Sequence, residues 1–209
     1  MTQSVRYGIL AVFLAATGLL AGCIDVGLGQ GTRQATRLYT LGTAEPASSN
    51  AASPRTRKPT IGVGPVTVPT YLDRSQILVR VGPRRLQPLP FDHWAEPLEE
   101  NVARVLVHNL AVLTGSDAVY GYPWPRDQAP PVQLHVTVER FDAGLGGEAV
   151  LVALWGWRDG EGNPLSAAER SVYRRPVAGN SADDLVAAMS RLVEDFSRAA
   201  SRELGRLPL

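Results

Sequence analysis

The sequence predicts an α+β fold, a two-layer α/β sandwich in which two helices cover one face of a mostly antiparallel sheet. Two segments, 97–115 and 181–200, place apolar residues at helical spacing, and each therefore predicts an amphipathic helix. Between and before them, short runs of alternating apolar and polar residues are separated by Gly-rich turns, a pattern typical of hairpins.

The first 22 residues predict a lipoprotein signal peptide that is removed. Arg6 precedes an apolar run of about 14 residues, which is within the signal-peptide range and too short to span a bilayer as a helix. The run ends in Leu20-Ala-Gly-Cys23, the pattern of a lipobox, and Cys23 is the only cysteine of the chain. We expect a diacylglycerol on its thiol and an acyl chain such as palmitate on its freed amine, and two chains already give stable anchoring. The alternative is a plain signal peptide with a chance cysteine.

Removal of residues 1–22 has consequences for charge, redox chemistry and sorting. The remaining chain carries 20 basic and 20 acidic residues, so it has no electrostatic footprint for nucleic acid. With Cys23 lipidated, no thiol remains for a disulfide. An Asp directly after the lipidated cysteine usually retains a lipoprotein in the inner membrane. Because Ile24 stands there, with Asp25 one step later, we expect anchoring to the periplasmic face of the outer membrane.

The next segments predict a tether, a first strand and a loop. Residues 23–36 are Gly- and Thr-rich after the cysteine, and such a flexible tether reaches roughly 20 Å. A domain follows over 37–209, and its residues 37–41 predict a short strand. Residues 42–59 are rich in Ala, Ser and Pro and predict a mobile loop.

The first half of the domain then predicts strands at 60–68 and 77–81, with a turn at 82–85 that opens a hairpin. A helix follows, because Pro97 suits a first helical position and Gly115 suits the end. Its predicted buried face consists of residues at helical spacing: Leu98, Val102, Val105, Leu106, Asn109 and Leu113.

The second half predicts three antiparallel strands and a closing helix. The strands are 132–139, 148–158 and 165–177, joined by turns at 144–147 and 159–163. Ser181 and Asp184 form the pattern of a capping box at the start of the helix. Its predicted buried stripe is Leu185, Met189, Leu192, Phe196 and Ala199.

Residues that carry chemistry are sparse, and the sequence predicts neither catalysis nor a metal or cofactor site beyond the covalent lipid. Gly62-Val-Gly64 lacks the third glycine of a dinucleotide fingerprint and is followed by Pro65, so it is interpreted as strand. No nucleophile elbow of the form G-x-S-x-G occurs. The histidines do not pair at ligand spacing: His93, His108 and His135.

The tryptophans leave two interpretations open. Trp155 and Trp157 lie on one face of a predicted strand, while Trp94 and Trp124 lie near turns. They form either part of the core or an aromatic wall that binds lipid, and core packing is the more common arrangement.

The segment Val68-Pro-Thr-Tyr-Leu-Asp-Arg-Ser-Gln-Ile-Leu-Val-Arg80 precedes Phe91-Asp-His-Trp-Ala-Glu-Pro-Leu98, and both strings are unusual. Together they resemble the PqiC/YmbA family of ABC-type transport auxiliary lipoproteins. The resemblance covers nearly the whole mature domain, with the lipobox and closing helix in the same order. The candidate interface or structural residues on these strings are Pro69, Tyr71, Leu72, Asp73, Arg74, Arg80, Trp94, Glu96 and Pro97.

The resemblance implies a binding role without catalysis. Members of this family are accessory subunits of lipid transport systems built around MCE-domain proteins, which are anchored in the inner membrane. The chain would dock on such a PqiB-like protein and support envelope integrity, and a homo-oligomeric ring would suit that task.

Two other interpretations of the candidate residues and of the chain stay open. The candidate residues either contact the MCE partner or only lock a strand–hairpin–helix corner, in which case Glu96 would pair with Arg74 or Arg80. The chain itself is alternatively a lipoprotein regulator of cell-wall synthesis, although a tether of 13 residues is short for crossing peptidoglycan. A lipid hydrolase is disfavoured because the nucleophile motif is missing.

Overall fold

The computed structural model describes residues 35–45 and 58–208. Cys23, the signal peptide, most of the tether and residues 46–57 of the predicted loop lie outside the described residues. The described part contains eight strands: β1 (Arg37–Tyr39), β2 (Ile61–Thr67), β3 (Gln76–Gly82), β4 (Arg85–Trp94), β5 (Val119–Gly121), β6 (Val132–Ala143), β7 (Glu148–Asp159) and β8 (Glu169–Pro176). The same residues form two helices, α1 (Leu98–Thr114) and α2 (Ala182–Leu204).

The eight strands form one mixed sheet that curls into a half-barrel, so the predicted two-layer sandwich with a mostly antiparallel sheet is wrong. Four strand pairs, β1–β4, β2–β5, β2–β6 and β3–β6, are parallel, and three, β3–β4, β6–β7 and β7–β8, are antiparallel. The two parallel pairs of β2 arise because α1 carries the chain back to the end of the sheet where β2 began. As a result, β5 and β6 run in the direction of β2.

The long hairpin of β6 and β7 is the centre of the sheet. The two strands pair from Val132↔Asp159 to Ala143↔Ala149, with an irregularity after Val138. The inward residues of β6 are buried as the alternation predicts: Val132, Leu134, Val136 and Val138. The free edge of β6 pairs with β2 over its first half and with β3 at Ala143. This arrangement brings the end of β3 beside the end of β6.

The third strand of the second half is shorter than predicted. The sequence indicated strand over 165–177, whereas β8 spans Glu169–Pro176. The N–H groups of Leu165 and Ser166 both donate to the carbonyl of Trp157, at 2.8 and 3.2 Å. Because two successive donors share one acceptor, the ladder is interrupted there and resumes at Glu169.

Both helices begin and end close to where the sequence predicts. Pro97 is the residue before α1 rather than its first residue, and Gly115 adopts the left-handed conformation with φ of 63° at its end. Ser181 and Asp184 form the predicted capping box of α2. The predicted stripes are buried except for Leu113 and Ala199, which are half-buried.

A short extended segment after β1 lies against the helices. The N–H of Leu41 donates to Oδ1 of Asn101 at 3.1 Å, and the N–H of Ala44 donates to Oδ1 of Asn109 at 2.7 Å. Asn109 also donates from Nδ2 to Oγ of Ser197 on α2, at 3.1 Å. The start of the segment predicted as a mobile loop is therefore fixed in this structure, and we call residues 41–44 the strap.

The tryptophans of the sheet are core residues. Trp94, Trp155 and Trp157 are buried, and the Trp155 ring meets Phe196 of α2 edge-on with centroids 5.5 Å apart. Core packing is therefore correct for these three, and a lipid-binding wall is not formed by them. In the described part of the chain, neither helix has the length and apolar character that a membrane crossing requires.

Candidate functional site

The structure divides the nine candidate residues between two places. Pro69 to Arg74 and Arg80 lie around the β2–β3 connection and β3, close to the second half of β6. Trp94, Glu96 and Pro97 form the corner that leads from β4 into α1. The two strings meet in the β3–β4 hairpin, where Gln76 pairs with His93. No ion pair joins the two groups of candidate residues in the described part of the chain.

Arg80 forms a bidentate ion pair with Asp142, a residue that the sequence did not indicate. Its Nε and Nη2 atoms donate to the two carboxylate oxygens, each at 2.6 Å. Arg140 donates to the same carboxylate from Nε at 3.0 Å and from Nη2 at 2.8 Å. Asp142 is only 1% exposed, so both guanidinium groups satisfy a carboxylate that is shielded from water. We call Arg80, Arg140 and Asp142 the clamp.

The clamp keeps Asp142 ionised. Burial alone would raise the pKa of this carboxyl, but the hydrogen bonds from Arg80 and Arg140 outweigh burial and hold its pKa below the usual range. Arg140 and Asp142 are two residues apart on one face of β6, and the pairing of Val79 with Ala143 places Arg80 beside them. The clamp therefore depends on the parallel contact between β3 and β6.

Tyr71 lies beside the clamp and is exposed to solvent. Leu72 is buried and anchors a short 3₁₀ turn, Thr70–Leu72, in which its N–H donates to the carbonyl of Pro69 at 2.8 Å. Tyr71 is 41% exposed, and burial of part of its ring raises the pKa of its phenol, as does the nearby charge of Asp142. The clamp and the turn together present an aromatic ring with a polar end at the surface.

The neighbouring Asp73 and Arg74 are exposed and make no ion pair with any other described residue. A pairing of Arg74 with Glu96, one of the two that the corner interpretation allows, is not formed, and the bidentate ion pair of this region joins Arg80 to Asp142. Arg74, three residues after Tyr71, is thus a cation that is accessible to a partner.

The corner before α1 contains a buried tryptophan and one ion pair. Trp94 is buried, and its backbone N–H donates to the carbonyl of Ser75 at 2.7 Å. This hydrogen bond joins the end of β4 to the start of β3. Glu96 accepts hydrogen bonds from Arg104, at 2.7 and 2.9 Å. Its predicted pairing with Arg74 or Arg80 is wrong, because Arg80 is bound to Asp142 and Arg104 lies two turns along the helix that Glu96 precedes.

The two glycines of β2 have a packing role. A Cβ atom at Gly62 would lie 2.9 Å from the ring of Trp124, and one at Gly64 would lie 2.5 Å from the Cβ of Tyr122. Both positions need glycine because the aromatic loop after β5 lies directly on the strand. The interpretation of this segment as strand is therefore correct, and the glycines hold no phosphate loop.

The histidines occupy separate surroundings, as their spacing indicates. His93 is on β4, His108 on α1 and His135 on β6, and burial lowers the pKa of His135, with a smaller effect from the charge of Arg158. Among the described residues, no group of three or more His, Cys, Asp or Glu side chains is placed to hold a metal ion.

The sheet carries a shallow cleft on the face opposite the helices. Gly156 of β7 provides its floor, and His135, Leu154 and Ser166 are among its walls. Its volume is about 150 Å³. This is far below the 300–1,000 Å³ of a pocket that encloses a drug-sized ligand.

Comparison with solved structures identifies the fold. A crystal structure of an uncharacterised protein is 18% identical and covers 81% of this chain and 99% of its own, with a TM-score of 0.65. A protein from Xanthomonas campestris is 17% identical and covers 79% of this chain and 93% of its own, with a TM-score of 0.64. These likenesses show a shared fold, and no curated protein shows a significant sequence match to the chain.

The family model described as the ABC-type transport auxiliary lipoprotein component matches residues 39–200. This match covers most of the described domain, including both halves of the sheet, the clamp, the corner and nearly all of α2. The resemblance drawn from the strings that contain YLDR, residues 71–74, and WAEP, residues 94–97, is thereby confirmed. We call the connection from β2 to β3, which carries residues 71–74, the YLDR connection. The chain belongs to the ABC-type transport auxiliary lipoprotein component family.

Proposed function

We propose that the chain is a non-catalytic docking subunit of an MCE-type intermembrane lipid transport system. In this role it is held on the periplasmic face of the outer membrane by lipid on Cys23. The family match is the observation that carries the proposal, because it assigns the domain to auxiliary components of ABC-type transport. The lipobox and Ile24 support the anchor and its membrane, and the motif strings support the MCE-domain partner.

The geometry favours Tyr71 and Arg74 as part of the docking surface. Both are exposed, and both belong to a connection held by Leu72 and the clamp. Tyr and Arg are enriched where protein interfaces concentrate binding energy, since each combines a large contact area with a polar group. Pro69, Leu72, Arg80, Trp94, Glu96 and Pro97 then act as the frame that holds this surface.

The proposal is tested by crosslinking the tagged, lipidated protein in cells and identifying what copurifies from the membranes. Recovery of an MCE-domain protein in the wild type, and its loss in Tyr71→Ala with Arg74→Ala, is the expected result. Tyr120→Ala with Arg126→Ala is the matched control, because both residues are exposed, Tyr120 on β5 and Arg126 on the connection from β5 to β6. Recovery of cell-wall synthases, with no MCE-domain protein, would contradict the proposal.

The stoichiometry is a separate part of the proposal. A ring of identical subunits would match a ring-shaped MCE partner, and closed rings use one head-to-tail interface repeated around an axis. The mass of the purified lipoprotein in detergent tests this directly. A monomer at concentrations at which the MCE partner is bound would contradict the ring and leave the docking role intact.

A further inference from the structure

Two turns of the sheet lie side by side at one end of the domain. The β3–β4 turn and the β6–β7 turn are adjacent because Val79 pairs with Ala143 just before both strands end. A Cβ atom on Gly144 would lie 3.2 Å from the carbonyl oxygen of Arg80, which shows how closely the strand ends approach. We call residues 81–85 and 144–147 the paired turns.

Both turns are held rigidly. Arg80, while bound to Asp142, also donates from Nη1 to the carbonyl of Pro83 at 3.2 Å. In the second turn the N–H of Gly147 donates to the carbonyl of Gly144 at 3.1 Å. The N–H of Gly146 donates to the carbonyl of Gly179 at 2.7 Å. The paired turns are thus braced from both sides and keep their side chains in fixed places.

The side chains presented there combine apolar and basic character. Val81 is 40% exposed and Leu145 is 36% exposed, although both are apolar. Arg84 and Arg85 are exposed and form no ion pair with another described residue. The paired turns contain no acidic residue. Arginine forks match phosphate oxygens, and small apolar groups beside them enter the boundary between headgroups and acyl chains.

The direction of β1 relates this end of the domain to the membrane anchor. β1 is parallel to β4, and β4 begins at Arg85 in the paired turns, so the chain enters β1 from the side of the paired turns. Arg37 is paired with Asp92 of β4, which lies beside the start of β3. The distance from there to the paired turns, measured along β3, is roughly 20 Å. The chain between Cys23 and Arg37 is 13 residues long, and a tether of that length, as the sequence predicts, would reach roughly 20 Å.

The opposite end of the sheet fits the anchor less well. The β7–β8 turn at 159–163 lies at the other end of the β6–β7 hairpin, whose strands are 12 residues long. This separates it from the paired turns by roughly 40 Å. This turn is therefore at the end of the sheet away from the side on which the chain enters β1.

We propose that the paired turns lie against the anionic lipid surface to which the chain is anchored. Arg84 and Arg85 contact lipid phosphates, and Leu145 enters the interfacial region. The proposal rests on the lipid anchor of the proposed function and adds an orientation to it. Tyr71 of the YLDR connection lies beside the clamp, whose Arg80 and Asp142 adjoin the paired turns, so a partner would dock close to the membrane surface.

The test uses the lipidated protein with a single added thiol, because Cys23 is the only native cysteine and carries the lipid. Leu145→Cys is labelled with an environment-sensitive fluorophore, and the protein is reconstituted in vesicles of phosphatidylethanolamine and phosphatidylglycerol that contain nitroxide-labelled lipid. Glu161→Cys, an exposed position of the β7–β8 turn, is the matched control. We expect several-fold stronger quenching at Leu145→Cys than at Glu161→Cys.

Charge reversal supplies a second measurement. Arg84→Glu with Arg85→Glu should lower the equilibrium constant for docking, obtained from quenching at Leu145→Cys, by at least about fivefold for each charge removed. Arg158→Glu, in the exposed part of β7, should leave quenching unchanged. These are surface positions, and circular dichroism establishes that each variant is folded.

Three outcomes separate this inference from the proposed function. Protein that floats with the vesicles and is quenched at Leu145→Cys alone supports the inference. Protein that floats but is quenched at neither position, or equally at both, overturns the orientation and leaves the anchor intact. Protein that does not float with the vesicles overturns both the anchor and the orientation.

Discussion

Asp142 joins β6 to β3 beside the YLDR connection, through its bidentate ion pair with Arg80. It is buried, charged and bound by two arginines, of which Arg80 comes from a different strand. A buried carboxylate is tolerated when its oxygens are fully hydrogen-bonded, and removal of a partner then costs more than the same change at the surface. The stability of the clamp is therefore measurable by single substitutions.

Arg80→Met should lower the free energy of unfolding by about 3 kcal/mol, because it leaves the Asp142 carboxylate with one guanidinium partner in a buried place. Urea unfolding of the purified protein measures this difference. The control is Arg170→Met, since Arg170 and Glu139 form an ion pair exposed to solvent and should contribute less than about 1 kcal/mol. Equal losses of unfolding free energy in the two variants would contradict the stabilising role of the clamp.

The clamp also predicts how stability depends on pH. Since the pKa of Asp142 is lowered in the folded state, the unfolded chain binds its proton first as pH falls. The stabilisation is present above the unfolded pKa of about 4 and is lost as pH falls through the folded pKa. Asp142→Asn should thus flatten the acid limb of a plot of unfolding free energy against pH. An unchanged slope between about pH 5 and pH 2 would contradict this account.

The sequence could not have indicated Asp142, for a physical reason. Arg80 and Asp142 are 62 positions apart, and only the parallel contact of β3 with β6 brings them together. Ion pairs set by tertiary contacts are not readable from local spacing. The error at Glu96 has a local cause instead, because its partner Arg104 is eight positions away and is brought to it by the geometry of the helix start.

Among the elements, the strap joins the first strand to both helices through polar atoms in an otherwise apolar layer. Asn109 is buried in the face of α1 that the helical spacing identified. Its Oδ1 accepts a hydrogen bond from the N–H of Ala44 in the strap, and its Nδ2 donates to Oγ of Ser197 on α2. Both polar atoms of the side-chain amide are therefore hydrogen-bonded. Buried amides of this kind fix one arrangement because every alternative leaves a polar group without a partner.

Asn109→Ala should therefore lower the free energy of unfolding by about 3 kcal/mol, since the N–H of Ala44 loses its acceptor while it remains buried. It should also speed hydrogen exchange at Ala44, which shows that the strap itself has been released. His108→Ala, at an exposed position of the same helix, is the control and should change neither quantity. Unaltered exchange at Ala44 in Asn109→Ala would show that the strap is held by other contacts.

The elements also show what local patterns predict and what they miss. Helix bounds, the capping box at Ser181 and the β6–β7 hairpin follow from spacing and turn chemistry, and the structure agrees with them. The parallel pairs do not follow, because β2 and β6 meet across a gap that includes β3, β4 and α1. The sheet was therefore predicted as antiparallel from the hairpins alone.

At the scale of the whole molecule, the proposed membrane anchoring depends on Cys23. Cys23→Ser should abolish lipidation and leave an unanchored precursor, because no other thiol is present in the chain. Membrane fractionation and the mass of the N-terminal peptide measure this change. A variant retained in full at the outer membrane would contradict the anchor.

Ile24→Asp should move the lipidated protein toward the inner membrane, because it places an acidic residue directly after the cysteine. Ile24→Ser is the control, since it replaces the apolar side chain without adding a charge. Separation of inner and outer membranes by density, followed by immunodetection, measures the shift. Identical fractionation of the two variants would contradict the sorting argument.

We propose that the YLDR connection, held by the clamp, contacts an MCE-domain partner. The most direct measurement is site-specific photocrosslinking in cells, with a photoreactive phenylalanine analogue in place of Tyr71 or of Tyr120. Both rings are exposed, at 41% and 53%, but Tyr71 lies near the end of β6 and Tyr120 near its beginning. The account predicts a crosslink to an MCE-domain protein from position 71 and none from position 120. A crosslink only from position 120, or no MCE-domain protein from position 71, would contradict it.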